Sequence, residues 1–346
     1  MSGWERRVFR AAVCAILVFL ARGLAAAPGP ELTWEDLGHG ASYAHVKIRI
    51  PEGPVKFFVV RVNLAGGEAE VIVTPPAKGV QRTSAFAQKN GLEVAINGGF
   101  WNIKKRKPLG LVVSGGEKWP GSRDDALYGF LAVSADGRAW ISPPEDVVSP
   151  VPKDIVMALA GAPMIVRNGA VDKVRGCGLH CLRHPRAAVG LDQQGETLFL
   201  VVADGRQPTS VSISLSTLAR FMIDLGAWNA LNLDGGGSAT MVVEKLGGVV
   251  NSPCEGRERS VLTHLGVKLG VARGGAPREM VPAPAAASAP AEPPAGKIPA
   301  AGEAVKKAAK SRDGAASCSC RNAGAAAMLL GLGLVLFLSA SRRKRT

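Results

Sequence analysis

The sequence predicts an α+β protein, a single globular domain with large mixed, partly antiparallel β-sheets and a few helices. Short runs of β-branched, aromatic and aliphatic residues recur between Gly, Pro and Asp-Gly sequences, which is a pattern typical of strands. Only two segments have the features of helices, and each is followed by Gly. No internal repeat or heptad pattern is present. Strands that outnumber helices in this way favour sheets covered by a small number of helices.

Strand patterns dominate the first half of the domain. The predicted strands here are 57–64, 69–74, 93–96, 128–134 and 138–142. The last two flank Asp136-Gly137 and are predicted to form a hairpin. Residues 83–90, which precede Gly91, are predicted to be a short helix.

The second half contains the clearest helix and the most apolar strands. Residues 214–225 carry Leu, Ala and Met on one helical face and end before Gly226. The predicted strands are 187–192, 196–203, 228–233 and 239–244. Polar, Gly-containing motifs occur where several of these strands end, and binding sites are commonly built at such positions.

The net charge of +14 over 346 residues lies mostly outside the domain. Residues 28–272 contain 26 basic and 23 acidic side chains, so only three of the excess positive charges fall there. A nucleic-acid-binding surface requires clustered positive charge on the folded part. We therefore expect no nucleic-acid partner.

The two ends have the features of targeting segments. Residues 1–27 combine N-terminal arginines, an apolar run and Ala25-Ala26-Ala27, which predicts a cleaved signal peptide, with an uncleaved anchor as the alternative. Residues 273–320 are rich in Ala and Pro and are predicted to be an extended linker. Residues 321–346 contain an apolar run followed by Arg342-Arg343-Lys344-Arg345, which predicts a membrane-spanning helix with a cytoplasmic tail. We expect an exported protein held at the cell surface or at the periplasmic face.

Three cysteines fall within the domain, and two explanations remain for a pair of them. Cys177 and Cys181 are close enough to form a small disulfide loop, which leaves Cys254 unpaired. The same stretch contains His180 and His184, so it also has the residue types of a zinc site. Four ligands from eight residues would form a cramped tetrahedron, and we expect no metal and no cofactor.

Four motifs at predicted strand ends are candidate site elements. They are Asn97-Gly98-Gly99-Phe100-Trp101, His184-Pro185-Arg186, Asp204-Gly205-Arg206 and Asp234-Gly235-Gly236-Gly237-Ser238. Asn97 can donate and accept hydrogen bonds, and Gly98 allows close approach of the backbone. Arg186 offers a planar fork for phosphate or carboxylate, although an ion pair is the alternative. A carboxylate such as Asp204 at the end of an apolar strand can have a shifted pKa, although Asp-Gly is also a common turn.

The Asp234 motif is the most informative of the four. Three glycines followed by Ser238 expose consecutive N–H groups, which can bind an anion. The motif lacks the Gly-Lys-Ser/Thr ending of a P-loop and precedes a strand rather than a helix. A flexible hairpin turn is the alternative interpretation.

These motifs together resemble the phosphodiester glycosidase family. The resemblance runs through Asn97-Gly98-Gly99-Phe100, residues 161–169 and 186–192, Asp204-Gly205, residues 229–240 and Arg259. Residues 229–240 are its most specific part, and an Ala/Pro linker stands where a Cys-rich segment would be expected.

The resemblance implies hydrolysis of a sugar-1-phosphodiester, such as an N-acetylglucosamine-1-phosphodiester, to a free sugar and a phosphomonoester. Carboxylates beside the anomeric carbon would be Asp234, as nucleophile or ion stabiliser, and Asp204, as acid/base or sugar ligand, and these roles can be exchanged. Substrate binding would involve the residues of the motifs and a few arginines. These are Asn97, Gly98, Arg186, Arg206, Gly235, Gly236, Gly237, Ser238 and Arg259. The alternative is a non-catalytic carbohydrate-binding or cell-envelope protein with the same fold.

Overall fold

The computed structural model describes residues 32–76, 79–124, 126–172 and 182–271. The predicted signal peptide (1–27), the predicted linker (273–320) and the predicted membrane span (321–346) lie outside these residues, as do Cys177 and Cys181. Within the described ranges, no helix has the length and apolar character needed to cross a membrane.

Strands form most of the regular structure. They are β1 Glu35–Gly38, β2 Ala41–Ile50, β3 Gly53–Asn63, β4 Ala69–Val73, β5 Val94–Asn97, β6 Trp101–Asn102, β7 Lys107–Pro108, β8 Val112–Ser114, β9 Glu117–Lys118, β10 Gly129–Ser134, β11 Ala139–Ser142, β12 Ile155–Gly161, β13 Met164–Arg167, β14 Ala170–Val171, β15 Arg186–Leu191, β16 Thr197–Ala203, β17 Asn229–Asn232, β18 Met241–Val243, β19 Gly248–Val249 and β20 His264–Leu269. The α-helices of the described residues are α1 Thr83–Asn90 and α2 Leu215–Asp224. Short 3-10 turns at Gly236–Ser238 and Glu244–Leu246 complete the described elements.

The predicted α+β class is confirmed, and the strands pair more uniformly than expected. The eight-stranded sheet has the order β1-β2-β3-β16-β15-β17-β13-β14. Two five-stranded sheets have the orders β11-β10-β12-β8-β9 and β19-β18-β5-β20-β4, and β6 and β7 form a small ribbon. Every described strand pair is antiparallel.

Both helices have the expected ends. Gly91 follows α1 in the left-handed region, with φ 59°, and its N–H bonds back to the helix. Ser214 caps α2 by accepting the N–H of Thr217 at 3.2 Å. Leu225, predicted to be the last helical residue, lies just beyond the final turn.

The eight-stranded sheet is buried on both faces, which explains why its central strands are continuous apolar runs. In β16, Leu198 and Leu200 pack into the core shared with the five-stranded sheets. Phe199 and Val201, which alternate with them, pack with α2 on the opposite face. α1 covers one of the five-stranded sheets through Phe86. At one end of the central strands, residues 234–236, which follow β17, are only partly buried.

Candidate active site

Three neighbouring strands of the eight-stranded sheet, β16, β15 and β17, bring predicted site residues to the same end of the sheet. Arg186 begins β15 and pairs with Ala203 at the end of β16, so Asp204 follows at that end of the sheet. Leu233, just after β17, donates its N–H to the carbonyl of Ala187 in β15 at 2.8 Å, which places Asp234 at the same end of the sheet. Antiparallel pairing thus brings together charged residues that are far apart in the chain.

Asp234 is a half-buried carboxylate at the start of the glycine turn, which we define as residues 234–238. Its Oδ1 accepts the N–H of Gly235 at 2.9 Å, and the Ser238 hydroxyl also bonds to it. Burial raises the pKa of this carboxyl, while the bonds from Ser238 and Gly235 and the charge of Arg259 act in the opposite direction. A carboxylate in such surroundings is suited to nucleophilic or ion-stabilising chemistry.

The N–H groups of the glycine turn are partly used within the protein. Gly235 donates to the Asp234 side chain, and Gly236 donates to the carbonyl of Pro185 at 2.9 Å. The predicted anion nest of Gly235, Gly236 and Gly237 therefore has internal acceptors for two of its three donors. Gly236 has φ 62°, a conformation that favours glycine.

The glycines also allow two arginines to approach the turn. A Cβ on Gly236 would lie 3.4 Å from Nη2 of Arg206. A Cβ on Gly237 would overlap the side-chain ends of Arg259 and Glu255. The absence of side chains on the turn thus creates a surface faced by two guanidinium groups.

Asp204 is a buried carboxylate, with 1% of its surface exposed. Its Oδ1 accepts the side-chain amide of Asn251 at 3.0 Å, and its two oxygens accept the N–H of Ser252 at 3.2 and 3.1 Å. Burial raises the pKa of Asp204, against the opposing effects of these bonds and of Lys56 and His45. The carboxylate therefore fixes the segment that begins at Asn251.

Asn97 and Gly98 support the backbone of Asp234 from the neighbouring sheet. The fully buried Asn97 amide donates to the Asp234 carbonyl at 2.6 Å and accepts the N–H of Thr240 at 3.1 Å. Gly98 accepts the N–H of Asp234 at 3.1 Å and donates to the carbonyl of Thr263 at 2.7 Å. Asn97 and Gly98 were predicted to contact a ligand, whereas these hydrogen bonds favour a positioning role.

Arg186 also bonds within the protein. It is 6% exposed, and its Nη2 donates to the carbonyl of Leu182 at 2.7 Å, with Nε 3.5 Å from the carbonyl of Ile213. Burial, with a contribution from the charge of Arg206, lowers the pKa of Arg186 to about 10. Arg186 thus fixes the segment that precedes β15. The arginines that face the glycine turn are Arg206 and Arg259.

Arg206 is exposed and is oriented by two contacts. Its Nη2 lies 2.9 Å from Nδ1 of His184, and its Nη1 lies 3.9 Å from Sγ of Cys254, which is a free cysteine. A guanidinium has no acceptor, so Nδ1 of His184 accepts and its proton lies on Nε2. Burial and the charges of Arg186 and Arg206 lower the pKa of His184, in keeping with a neutral ring.

Arg259 faces the next residue of the glycine turn, Gly237. Its guanidinium bonds to Glu255 and lies 3.4 Å from Oγ of Ser238 through Nη1. Glu255 and Asp234 raise the pKa of Arg259. Arg206 and Arg259 therefore place positive charge beside two adjacent glycines of the turn that begins at Asp234.

Several residues of this site were not selected from the sequence. His184 belongs to a motif noted above, but its contact with Arg206 joins distant parts of the chain, as does the contact of Asn251 with Asp204. Cys254 and Glu255 follow Pro253 in a loop with no pattern of its own. The described residues contain no group of three or more His, Cys, Asp or Glu side chains that could hold a metal ion.

Comparison with known families agrees with this arrangement. A family model described as phosphodiester glycosidase matches residues 90–268, just over half of the chain. The chain belongs to the phosphodiester glycosidase family. The match includes Asp204, Asp234 and the glycine turn, and it confirms the resemblance inferred from the motifs.

Similar proteins of this family are known from animals. The chain is 32% identical over 173 residues to bovine N-acetylglucosamine-1-phosphodiester alpha-N-acetylglucosaminidase, and 31% identical over 166 residues to the human enzyme of the same name. These alignments cover 45% and 43% of this chain, but only 32% of each relative, so the match spans about a third of their length.

A solved structure also shares the fold. The catalytic domain of zebrafish N-acetylglucosamine-1-phosphodiester alpha-N-acetylglucosaminidase superposes with a TM-score of 0.54 and 23% identity. The alignment covers 70% of this phosphodiester glycosidase family member and 85% of the zebrafish chain. The common architecture therefore extends beyond the segment that matches the family model.

Proposed function

We propose that this protein hydrolyses a sugar-1-phosphodiester, of the N-acetylglucosamine-1-phosphodiester type, to a free sugar and a phosphomonoester. The observation that carries the proposal is the position of Asp234, a half-buried carboxylate at the glycine turn close to the charge of Arg259. The bovine and human relatives are named for activity on N-acetylglucosamine-1-phosphodiesters, which supports this choice of substrate.

The reaction breaks the bond between the anomeric carbon and the phosphate oxygen. The electron pair of that bond leaves with the phosphate, and positive, oxocarbenium-like charge develops on the sugar. The Asp234 carboxylate stabilises this charge or forms a bond to the anomeric carbon. Water then supplies the hydroxyl group of the free sugar and releases a proton to solvent.

The departing phosphate requires stabilisation of its negative charge more than full protonation. Guanidinium groups suit this task because they can donate two parallel hydrogen bonds to phosphate oxygens. Arg206 and Arg259 both face the glycine turn and are exposed, so they are assigned to the phosphate. Arg186 is assigned a positioning role because it bonds to backbone carbonyls.

Asp204 is assigned to positioning rather than to direct contact with substrate. Its almost complete burial and its bonds to Asn251 and Ser252 support this assignment. Those residues lead directly to Cys254 and Glu255, which contact Arg206 and Arg259. Loss of the Asp204 charge would therefore disturb the phosphate-binding side of the site.

Substitution of each carboxylate in the full chain tests the proposal. With an N-acetylglucosamine-1-phosphodiester, Asp234→Asn should lower kcat by about 10²–10⁴-fold, the range for loss of a catalytic group. Asp204→Asn should raise KM more than it lowers kcat. Asp224→Asn, at the end of α2, is the matched control because burial also raises the pKa of this carboxyl.

Two results would contradict the proposal in different ways. Full activity of Asp234→Asn would show that Asp234 does not have the catalytic role assigned to it, while the proposed reaction would still stand. Failure of the unmodified protein to release sugar from every phosphodiester, together with saturable polysaccharide binding, would favour the non-catalytic carbohydrate-binding alternative.

We also propose that the protein is exported and anchored by residues 321–346. The support is the sequence pattern of residues 1–27 and of the apolar run before Arg342. Fractionation of cells that produce the full chain should place it in the membrane fraction, with residues 28–272 accessible to external protease. Recovery of intact residues 1–27 in the cytosol would contradict export.

A further inference from the structure

A second cluster of arginines adjoins the phosphate-binding side of the site. One open pocket is lined by Arg82, Glu255, Arg257, Glu258, Arg259 and Ser260, and we call it the arginine groove. Arg259 and Glu255 belong both to this groove and to the surface beside Gly237. The groove therefore begins where the phosphate is expected to lie.

Backbone pairing and a helix contact hold the two walls of the groove together. Gln81 and Val261 exchange backbone hydrogen bonds of 3.1 and 2.8 Å, which places the neighbouring Arg82 beside the end of the opposite segment. Glu258 accepts the N–H of Ser84 at 2.9 Å and its hydroxyl at 2.5 Å. The segment that carries Arg257 is thus fixed to the start of α1.

The acidic residues of the groove leave part of its positive charge uncompensated. Glu258 is used at the start of α1, and Glu255 bonds to Arg259. Among the described residues, neither Arg82 nor Arg257 has a side-chain hydrogen bond or salt bridge, and both side chains are exposed. Arg82 and Arg257 can therefore donate hydrogen bonds to a ligand, while the charge of Arg257 also acts on Glu255.

The geometry points to an anionic group on the aglycone as the ligand of the arginine groove. In this inference, which rests on the proposed function, the sugar lies at Asp234, the scissile phosphate lies at Arg259, and the aglycone extends toward Arg257 and Arg82. The substrate class is a sugar-1-phosphodiester whose aglycone carries a further phosphate. Arginine is suited to this group because its planar fork matches phosphate oxygens.

Two substrates that differ only in the aglycone test the inference. One is N-acetylglucosamine-1-phosphate esterified with methanol, and the other carries glycerol 3-phosphate in place of methanol. In the full chain, the double variant Arg82→Gln, Arg257→Gln should raise KM for the second substrate roughly tenfold, the factor that corresponds to about 1.4 kcal/mol. It should leave kcat for both substrates and KM for the methyl ester unchanged.

A matched control removes the same charge elsewhere. Arg49→Gln, Arg220→Gln alters two exposed arginines on β2 and α2 and should leave both KM values unchanged. Equal KM changes for both substrates, or an equal effect of the control pair, would overturn the groove inference while the proposed function stands.

A binding measurement keeps the inference testable if neither substrate is hydrolysed, a result that would remove the proposed function. Calorimetric titration with glycerol 3-phosphate should then show binding that the Arg82→Gln, Arg257→Gln variant loses and the control pair retains. No binding to the unmodified protein, or equal binding to both variants, would overturn the inference.

Discussion

His264 offers a stability prediction that can be worked out from its contacts. Its ring is fully buried in β20, where it stacks on Phe86 with centroids 4.9 Å apart. Nε2 lies 3.1 Å from the carbonyl of Gln81, and Nδ1 lies 2.8 Å from Oγ1 of Thr74. A carbonyl only accepts, so Nε2 carries the proton and Nδ1 accepts from the Thr74 hydroxyl. The ring is therefore held neutral, next to the β5 residue Asn97 that supports Asp234.

This environment makes the free energy of unfolding depend on pH. Burial lowers the pKa of His264 from 6.5 to about 4. The unfolded chain therefore binds a proton at this ring more readily than the folded protein does. The contribution of the neutral ring to the free energy of unfolding is lost as pH falls from the pKa of the unfolded state toward the pKa of the folded state. At about 1.4 kcal/mol for each tenfold change in proton affinity, the loss approaches roughly 3 kcal/mol. Folded domains have only about 5–15 kcal/mol in total, so the effect is measurable.

Urea unfolding of the full chain at pH 7.5 and pH 4.5 measures this effect. His264→Gln keeps a donor and an acceptor but cannot titrate, so its stability difference between the two pH values should be smaller by about 2–3 kcal/mol. His39→Gln is the control, since His39 is an exposed histidine paired with Glu68, and it should keep the full difference. NMR titration of the histidine rings gives an independent measurement on the unmodified protein. The same pH dependence in the two variants, or titration of His264 near pH 6.5, would contradict the neutral, buried state of this ring.

Two glycine substitutions give further predictions. Gly237→Ala should lower kcat/KM roughly tenfold with little change in stability, because the new methyl group displaces the flexible end of Arg259 rather than backbone, and a tenfold loss corresponds to about 1.4 kcal/mol. Gly66→Ala, where a Cβ would meet nothing within 4 Å, is its control, and equal kinetics of the two variants would contradict the placement of Arg259. Gly98→Ala should instead lower the free energy of unfolding by about 1–3 kcal/mol, because its Cβ would lie 2.6 Å from the backbone carbonyl of Thr263. An unchanged urea midpoint for Gly98→Ala would show that the close approach of residue 98 to the backbone of Thr263 is not required.

The elements of the fold were predictable because their signals are local. The alternation of residues in β16, the serine before α2 and the glycine after α1 each specify structure within a few positions of the chain. The motif at Asp234 was predictable for the same reason, since an aspartate and three glycines after a buried strand form a continuous pattern. The family could be inferred from such motifs, and the family model confirmed it.

Which groups remain available to a ligand depends on contacts between distant parts of the chain. Asn97, Arg186 and two N–H groups of the glycine turn were expected to contact substrate, yet each has a partner within the protein. Those partners come from other sheets and loops, so no local pattern reveals them. Arg206 and Arg259 face the glycine turn because strand order brings their loops together. Local patterns specify the chemical types of the site residues, whereas long-range packing decides which of them a ligand can reach, because it buries Asn97 and Arg186 and leaves Arg206 and Arg259 exposed.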